Sequence, residues 1–184
     1  QRAAAKTINF GIIYGMTAFG LSRELQMSPA DAEVFIEGYF AQYPGVRRYV
    51  SESLAQAKKR GYCVTLFGRR RYIPELKAQQ QMVRQFAERT AVNAPIQGSA
   101  ADLIKFAMVS IDEAIRSKKM RSKMLIQVHD VLIFEAPQSE MKALQALVQK
   151  QMEAPLFSGK PVKLDVPIQV NMKTGRDWLE VSHV

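Results

Sequence analysis

Residues 124–136, MLIQVHDVLIFEA, limit the fold more than any other stretch of this 184-residue chain. Two apolar, β-branched runs flank the polar pair His129-Asp130, which predicts antiparallel strands joined by a tight loop, although the pair is not the favoured Asn-Gly. What precedes them reads as helix. Residues 2–14, RAAAKTINFGIIY, open with three alanines and repeat Ile8, Ile12 and Ile13 at helical spacing. Gly15 and Gly20 are expected to bracket a short turn before LSRELQM. Ser28-Pro29 followed by Asp31 and Glu33 is a helix start, with an N-cap hydroxyl, proline at the first position and early acids. That helix is expected to stop at Pro44-Gly45, and another to run from Val46 to Arg60 with Gly61 as its left-handed stop.

YCVTLF (62–67) and RYI (71–73) predict a small hairpin tipped with Arg69, Arg70 and Arg71. A polar helix is expected from Gln79 to Asn93, interrupted by Pro95, with a second from Ser99 to Arg116. Residues 138–153 predict an amphipathic helix, and VPIQVNM (166–172) a final strand. The class is α+β, with a mainly helical part over residues 1–93 and a part containing an antiparallel sheet over 94–184.

Charge narrows the partners. With 26 basic against 17 acidic side chains, the net charge is +9 and the pI near 9.8, which favours nucleic acid or anionic lipid without choosing between them. A single cysteine excludes an internal disulfide, and with two histidines it is too little for a structural zinc site. No apolar run approaches the ~18 residues of a membrane span, and no signal-peptide pattern is present. A soluble protein of a reducing compartment is the expectation. The chain opens on Gln1 and reads as helix at once, as expected for a piece of a longer polypeptide.

Arg2, Lys6, Phe10 and Tyr14 recur at every fourth position and line one side of the first helix. At ~1.5 Å per residue they span roughly 18 Å, the reach of an extended nucleoside triphosphate. Arginine offers phosphate a bidentate fork and lysine a point charge, while the two rings could pack on a base or sugar. Gly11 and Gly15 permit close approach of another backbone or base. The competing reading buries Phe10 and Tyr14 in a core and leaves Arg2 and Lys6 solvated at the helix end.

These residues carry a resemblance. RAAAKTINFGIIYGM resembles the fingers-helix motif of family A DNA polymerases, the bacterial DNA polymerase I type, with Arg2, Lys6, Phe10, Tyr14 and Gly15 at every motif place. AERTAVNAPIQGSAADLIK (87–105) resembles the palm helix pair of that family. Its Arg89, Asn93 and Gln97 are spaced four apart, and amide side chains there can donate to the acceptors that every base pair shows in the minor groove. QVHDVLIFEAP (127–137) resembles the motif holding the second metal-binding aspartate. GMTAFGLSREL, YPGV, GYCVTLFGRRRYIPEL and GRDWLEV look similar to the same family, so the resemblance covers essentially the whole chain.

The resemblance implies an incomplete right-hand polymerase architecture: fingers over 1–93 and the C-terminal part of the palm over 94–184. It implies a part of a DNA-directed DNA polymerase of replication and repair, in the bacterial cytoplasm at the nucleoid, with primer–template DNA and dNTP as partners and no membrane. Arg2 and Lys6 would bind the dNTP triphosphate, with Lys6 also acting in catalysis. Phe10 would stack near the sugar and discriminate against dideoxynucleotides. Tyr14 would hold the place of the templating pair, and Gly15 belongs with Arg2, Lys6, Phe10 and Tyr14 to the dNTP-binding set. Arg89, Asn93, Gln97 and His129 would contact DNA, and Arg69 and Arg70 either its backbone or only solvent. Asp130 would be the catalytic carboxylate that ligates Mg²⁺, one protein ligand of a two-metal site with ions ~3.5–4 Å apart.

Two departures stand out. Val131 occupies the place where the family usually has glutamate. The family's first metal-binding aspartate, in an Asp-Tyr-Ser-like strand, has no counterpart here, and the thumb and N-terminal palm are likewise missing. One carboxylate cannot hold two Mg²⁺ ions in a reactive geometry, so the segment by itself is expected to be inactive. The alternative reading is a non-catalytic DNA-binding module derived from a polymerase palm.

Overall fold

The computed structural model describes residues 2–177 and 179–183, with the side chains of residues 2–7, 182 and 183 outside that description. Trp178 of the GRDWLEV stretch lies outside the described residues. Four helices open the chain: α1 (Arg2–Ile13), α2 (Ala18–Leu25), α3 (Pro29–Gln42) and α4 (Pro44–Arg60). The hairpin β1 (Tyr62–Val64) and β2 (Arg70–Tyr72) follows, then a 3-10 turn at Pro74–Lys77 and the long helix α5 (Gln81–Ser117). Beyond it come the hairpin β3 (Lys123–Val128) and β4 (Val131–Glu135), a 3-10 turn at Gln138–Glu140 and helix α6 (Met141–Glu153). Short antiparallel pairings complete the order: β5 (Leu156–Phe157) with β6 (Lys160–Pro161), then β7 (Lys173–Thr174) with β8 (Ser182–His183). The fold is α+β, with antiparallel two-stranded sheets.

Local signals behave as chemistry dictates. The Asp31 amide donates to Ser28 Oγ at 3.0 Å, and the Ser28 hydroxyl donates to the Asp31 carboxylate at 2.7 Å, which caps α3. Gly61 ends α4 at φ +78°, its N–H on the Ala57 carbonyl. Other expectations need correction. Gly20 lies inside α2 rather than in a turn, because Thr17 caps that helix through the Gly20 amide. Pro44 is the first residue of α4, not the stop of α3 alone.

The larger correction concerns Pro95, which interrupts nothing: α5 runs through it for 37 residues. A proline inside a helix deprives the carbonyl four residues back of its donor and costs about 3 kcal/mol. Two side chains hydrogen-bond carbonyls close to the proline. Ser99 Oγ donates to the Pro95 carbonyl at 2.6 Å, and the Tyr49 hydroxyl to the Val92 carbonyl at 2.8 Å. Burial pushes the Tyr49 phenol up, which keeps it a donor. The strand expected at 166–172 is not formed either. A strand needs a partner to pair its amides, and among the described residues none lies alongside; the Val170 amide donates to the Glu153 carboxylate instead, at 3.2 Å.

Contacts divide the chain into two compact units, residues up to Ser99 and residues from Ala100 onward. The first unit packs Ala57, Cys63, Ile73, Leu76, Ala87, Ala91 and Ala94. Its alanines let α4, α5 and the β1–β2 hairpin approach closely. Burial pushes the Cys63 thiol up, consistent with a small packed hydrophobe. The second unit packs Ala107, Ile111 and Ile115 of α5 against Leu144 and Val148 of α6, with Leu132 and Phe134 of β4 at the margin.

Glu140 pins the basic connection 116–123 to the start of α6. Its carboxylate accepts the Ser122 hydroxyl at 2.7 Å and the Arg121 and Ser122 amides at 3.0 and 2.9 Å. The Ser122 hydroxyl above all holds the Glu140 carboxyl below its ordinary value of 4.5. Stability from such a depressed group is fully present above the ordinary value and drains as pH falls through the lower folded-state value. Glu140→Gln should therefore lower Tm at neutral pH and flatten the acid-side loss of Tm, which thermal melts from neutral pH to about pH 3 will read.

Candidate functional site

Helix α1 ends in a Schellman closure: the Met16 amide donates to the Gly11 carbonyl at 2.7 Å and the Gly15 amide to the Ile12 carbonyl at 3.0 Å. Gly15 takes φ +78°, which a side chain resists. The closure splits the helix end into two faces. Ile12 is 3% exposed, whereas Phe10 and Tyr14 are 47% and 37% exposed. Their rings stack on each other, centroids 5.9 Å apart and 18° from parallel. The two aromatics therefore face outward rather than into a core. Arg2 and Lys6 sit further back on the same helix, and their side chains lie outside the described residues.

Gly15 has a second reason to lack a side chain. A Cβ there would lie 3.0 Å from Arg89 Cγ, so the turn after α1 rests on α5 at the head of the Arg89, Asn93, Gln97 strip. Of that strip, Gln97 is exposed and Asn93 is half-buried. The Asn93 Oδ1 is buried with no hydrogen-bond partner among the described residues. The β1–β2 loop is clamped beside this strip. The Leu66 amide donates to Ser99 Oγ at 2.9 Å, and the Arg69 guanidinium donates to the Gly98 carbonyl at 3.0 Å. A Cβ on Gly98 would lie 2.7 Å from Thr65 Cγ2. Arg69, Arg71, Thr65, Cys63 and Gln97 line the small polar pocket that results.

His129 and Asp130 belong to the second unit, as the two-residue loop between Val128 and Val131. His129 adopts φ +52°, the positive value such a loop requires, and the Gln127 side-chain amide donates to its carbonyl at 2.8 Å. Both loop residues are exposed, and Val131 is 52% exposed at the first position of β4. Asp130 thus presents an exposed carboxylate at the end of a hairpin. Among the described residues no three of His, Cys, Asp or Glu gather as a metal site. The residues present fit one corner of a Mg²⁺ shell and not the whole of it.

Comparison with known proteins decides the family. The sequence matches DNA polymerase family A over residues 1–180. The chain belongs to this family. It is 43% identical over 182 residues to DNA polymerase I of Mycobacterium leprae and 48% identical to the thermostable DNA polymerase I of Thermus thermophilus. Both alignments cover 99% of this chain, but 19% and 21% of those relatives, so the family segment spans about a fifth of their length. The POL domain of Pol1 from M. smegmatis, solved in complex with DNA primer-template and dNTP, superposes with a TM-score of 0.80 at 45% identity, covering 88% of this chain and 29% of that one.

Spacing alone misses the residues that support the site. Ser99, Thr65 and Tyr49 act through contacts that join distant parts of the chain, which no local pattern announces. Tyr62 and Tyr72 are legible only through strand alternation, which puts Tyr72 on the same side as Arg70.

Gly15→Ala should destabilise by about 1–2 kcal/mol through its positive φ, a Tm loss of roughly 2–8 °C. Gly38→Ala, in α3 with nothing within 4 Å of the added Cβ, should instead raise stability by up to about 1 kcal/mol. Equal effects of the two substitutions would contradict this account of Gly15.

Proposed function

We propose that this chain is the fingers (1–93) and C-terminal palm (94–184) of a DNA-directed DNA polymerase of replication and repair. The primer 3′-hydroxyl attacks the α-phosphate of an incoming dNTP, and pyrophosphate leaves. The observation that carries this reading is the outward-facing Phe10–Tyr14 stack on a helix whose turn, at Gly15, rests on Arg89. The relative from M. smegmatis, bound to DNA primer-template and dNTP, supports the choice of partners.

In this reading Arg2 and Lys6 hold the triphosphate, the lysine also neutralising charge that develops on it. Phe10 packs on the sugar, and Tyr14 with Gly15 holds the place of the templating pair. Arg89, Asn93 and Gln97 donate to minor-groove acceptors through their N–H groups. Arg69 and Arg70 contact phosphates, and His129 the primer terminus. Asp130 would hold Mg²⁺ together with carboxylates from outside these 184 residues. When bound, the metal would activate the hydroxyl and stabilise the leaving group. A bacterial cytoplasmic location, at the nucleoid, accompanies the proposal. Among the described residues no helix is long and apolar enough to cross a membrane.

Asp130→Asn in the longer polymerase chain should depress Mg²⁺-dependent primer extension beyond the roughly 100-fold that changes outside the metal's own ligands cost. Retained extension would sink the assignment, and failure of even the unaltered chain on a good primer–template would favour a DNA-binding module. Val131→Glu places an acid beside Asp130 on an exposed strand position, so it should leave stability within about 0.5 kcal/mol of the original while changing the Mg²⁺ dependence of extension.

Phe10→Tyr should narrow discrimination against dideoxynucleotides by about 10-fold, the worth of one well-placed hydrogen bond. Competitive ddNTP/dNTP incorporation reads it directly, and an unchanged ratio would remove Phe10 from the sugar contact.

A further inference from the structure

The β1–β2 hairpin has an outer face of which the proposed function uses only Arg70. Tyr62 pairs with Tyr72 and Val64 with Arg70, so these four share one side, while Cys63 and Arg71 share the other. The tyrosine rings lie 5.4 Å apart at 57°, and the Arg70 guanidinium lies 5.0 Å from the Tyr62 ring centroid. The ladder is ordered, yet it is open: Tyr72 is 67% exposed and Arg70 is exposed. An arginine and two tyrosines locked in one orientation make a rigid π-surface at little further entropic cost.

Charge says what would cover it. Residues 1–99 carry 14 Lys and Arg against 7 Asp and Glu, leaving +7 of the chain's +9 in that unit. Around the hairpin, Lys59 and Arg60 end α4 just before Tyr62, and Arg71 and Lys77 follow. A partner that is anionic and presents flat rings is nucleic acid. In a duplex the base faces are hidden by stacking, so an exposed ring can be covered only by an unpaired base.

We propose that Tyr62, Tyr72 and Arg70 form a stacking platform for an unpaired base of single-stranded DNA, the stretch of template not yet copied. The platform rests on the polymerase reading for the identity of the strand. Tyr72 supplies the open ring face, Tyr62 backs it, Arg70 packs on the Tyr62 ring and faces the backbone phosphate, and neighbouring cations give affinity that falls steeply with salt.

The test compares binding of this protein to a blunt duplex, the same duplex with a 5′ oligo-dT overhang, and free oligo-dT, by fluorescence anisotropy. A 2-aminopurine in the overhang reports stacking. The overhang should tighten binding, Tyr72→Ala should remove roughly 5-fold or more of that gain, and Tyr72→Phe should keep it. Affinity for the blunt duplex should stay constant throughout. Should Tyr72→Ala fail to fold, Tyr72→Leu retains apolar cover without the π-face and should lose the same gain. Duplex binding with no gain from an overhang overturns the platform and leaves the polymerase reading standing. Binding of free oligo-dT that depends on Tyr72, without duplex binding, supports the platform and removes the polymerase reading. Binding of neither overturns both.

Discussion

One hydroxyl holds the first unit in register. Ser99 Oγ donates to the Pro95 carbonyl and accepts the Leu66 amide, so it braces the helix at its proline and ties the β1–β2 loop to the same turn. Because α5 continues, Arg89, Asn93 and Gln97 keep a common side across the proline. Gly98 completes the arrangement, since any Cβ would push Thr65 and its loop away.

The same economy of side chains recurs wherever elements meet. Alanines at 57, 87, 91 and 94 bring α4 and α5 together, and Gly15 lets the end of α1 rest on Arg89. Close approach of small residues leaves the large ones outside. Phe10, Tyr14 and Tyr72 are among the large side chains left exposed. In the second unit the organising device is electrostatic: the Glu140 carboxylate collects the Ser122 hydroxyl and two amides at the foot of α6. The His129-Asp130 loop stands on a hairpin whose β4 residues Leu132 and Phe134 reach that unit's core.

Local features were legible in the amino acids. Ser28 as a cap, Gly61 as a stop and His129-Asp130 as a hairpin loop each follow from interactions among residues only a few positions apart. The candidate site was legible for a related reason, since the fourfold spacing of Arg2, Lys6, Phe10 and Tyr14 is a property of a single helix. Pro95 misled because the helix around it is tied to distant segments, by Ser99 to the Leu66 amide and by Tyr49, 43 residues away, to the Val92 carbonyl. VPIQVNM misled because alternation describes one strand's faces and not the presence of a neighbour to pair with.

From the amino acids alone follow the helices with their caps, the α+β class, the hairpin presenting Asp130, and the line of motif residues along α1. These depend on backbone geometry and short-range hydrogen bonds. Packing settled the rest: α5 passing unbroken through Pro95, the outward turn of Phe10 and Tyr14, and the seat of Gly15 on Arg89. Each of these depends on which surfaces meet across long stretches of chain, and only the folded arrangement brings those surfaces together.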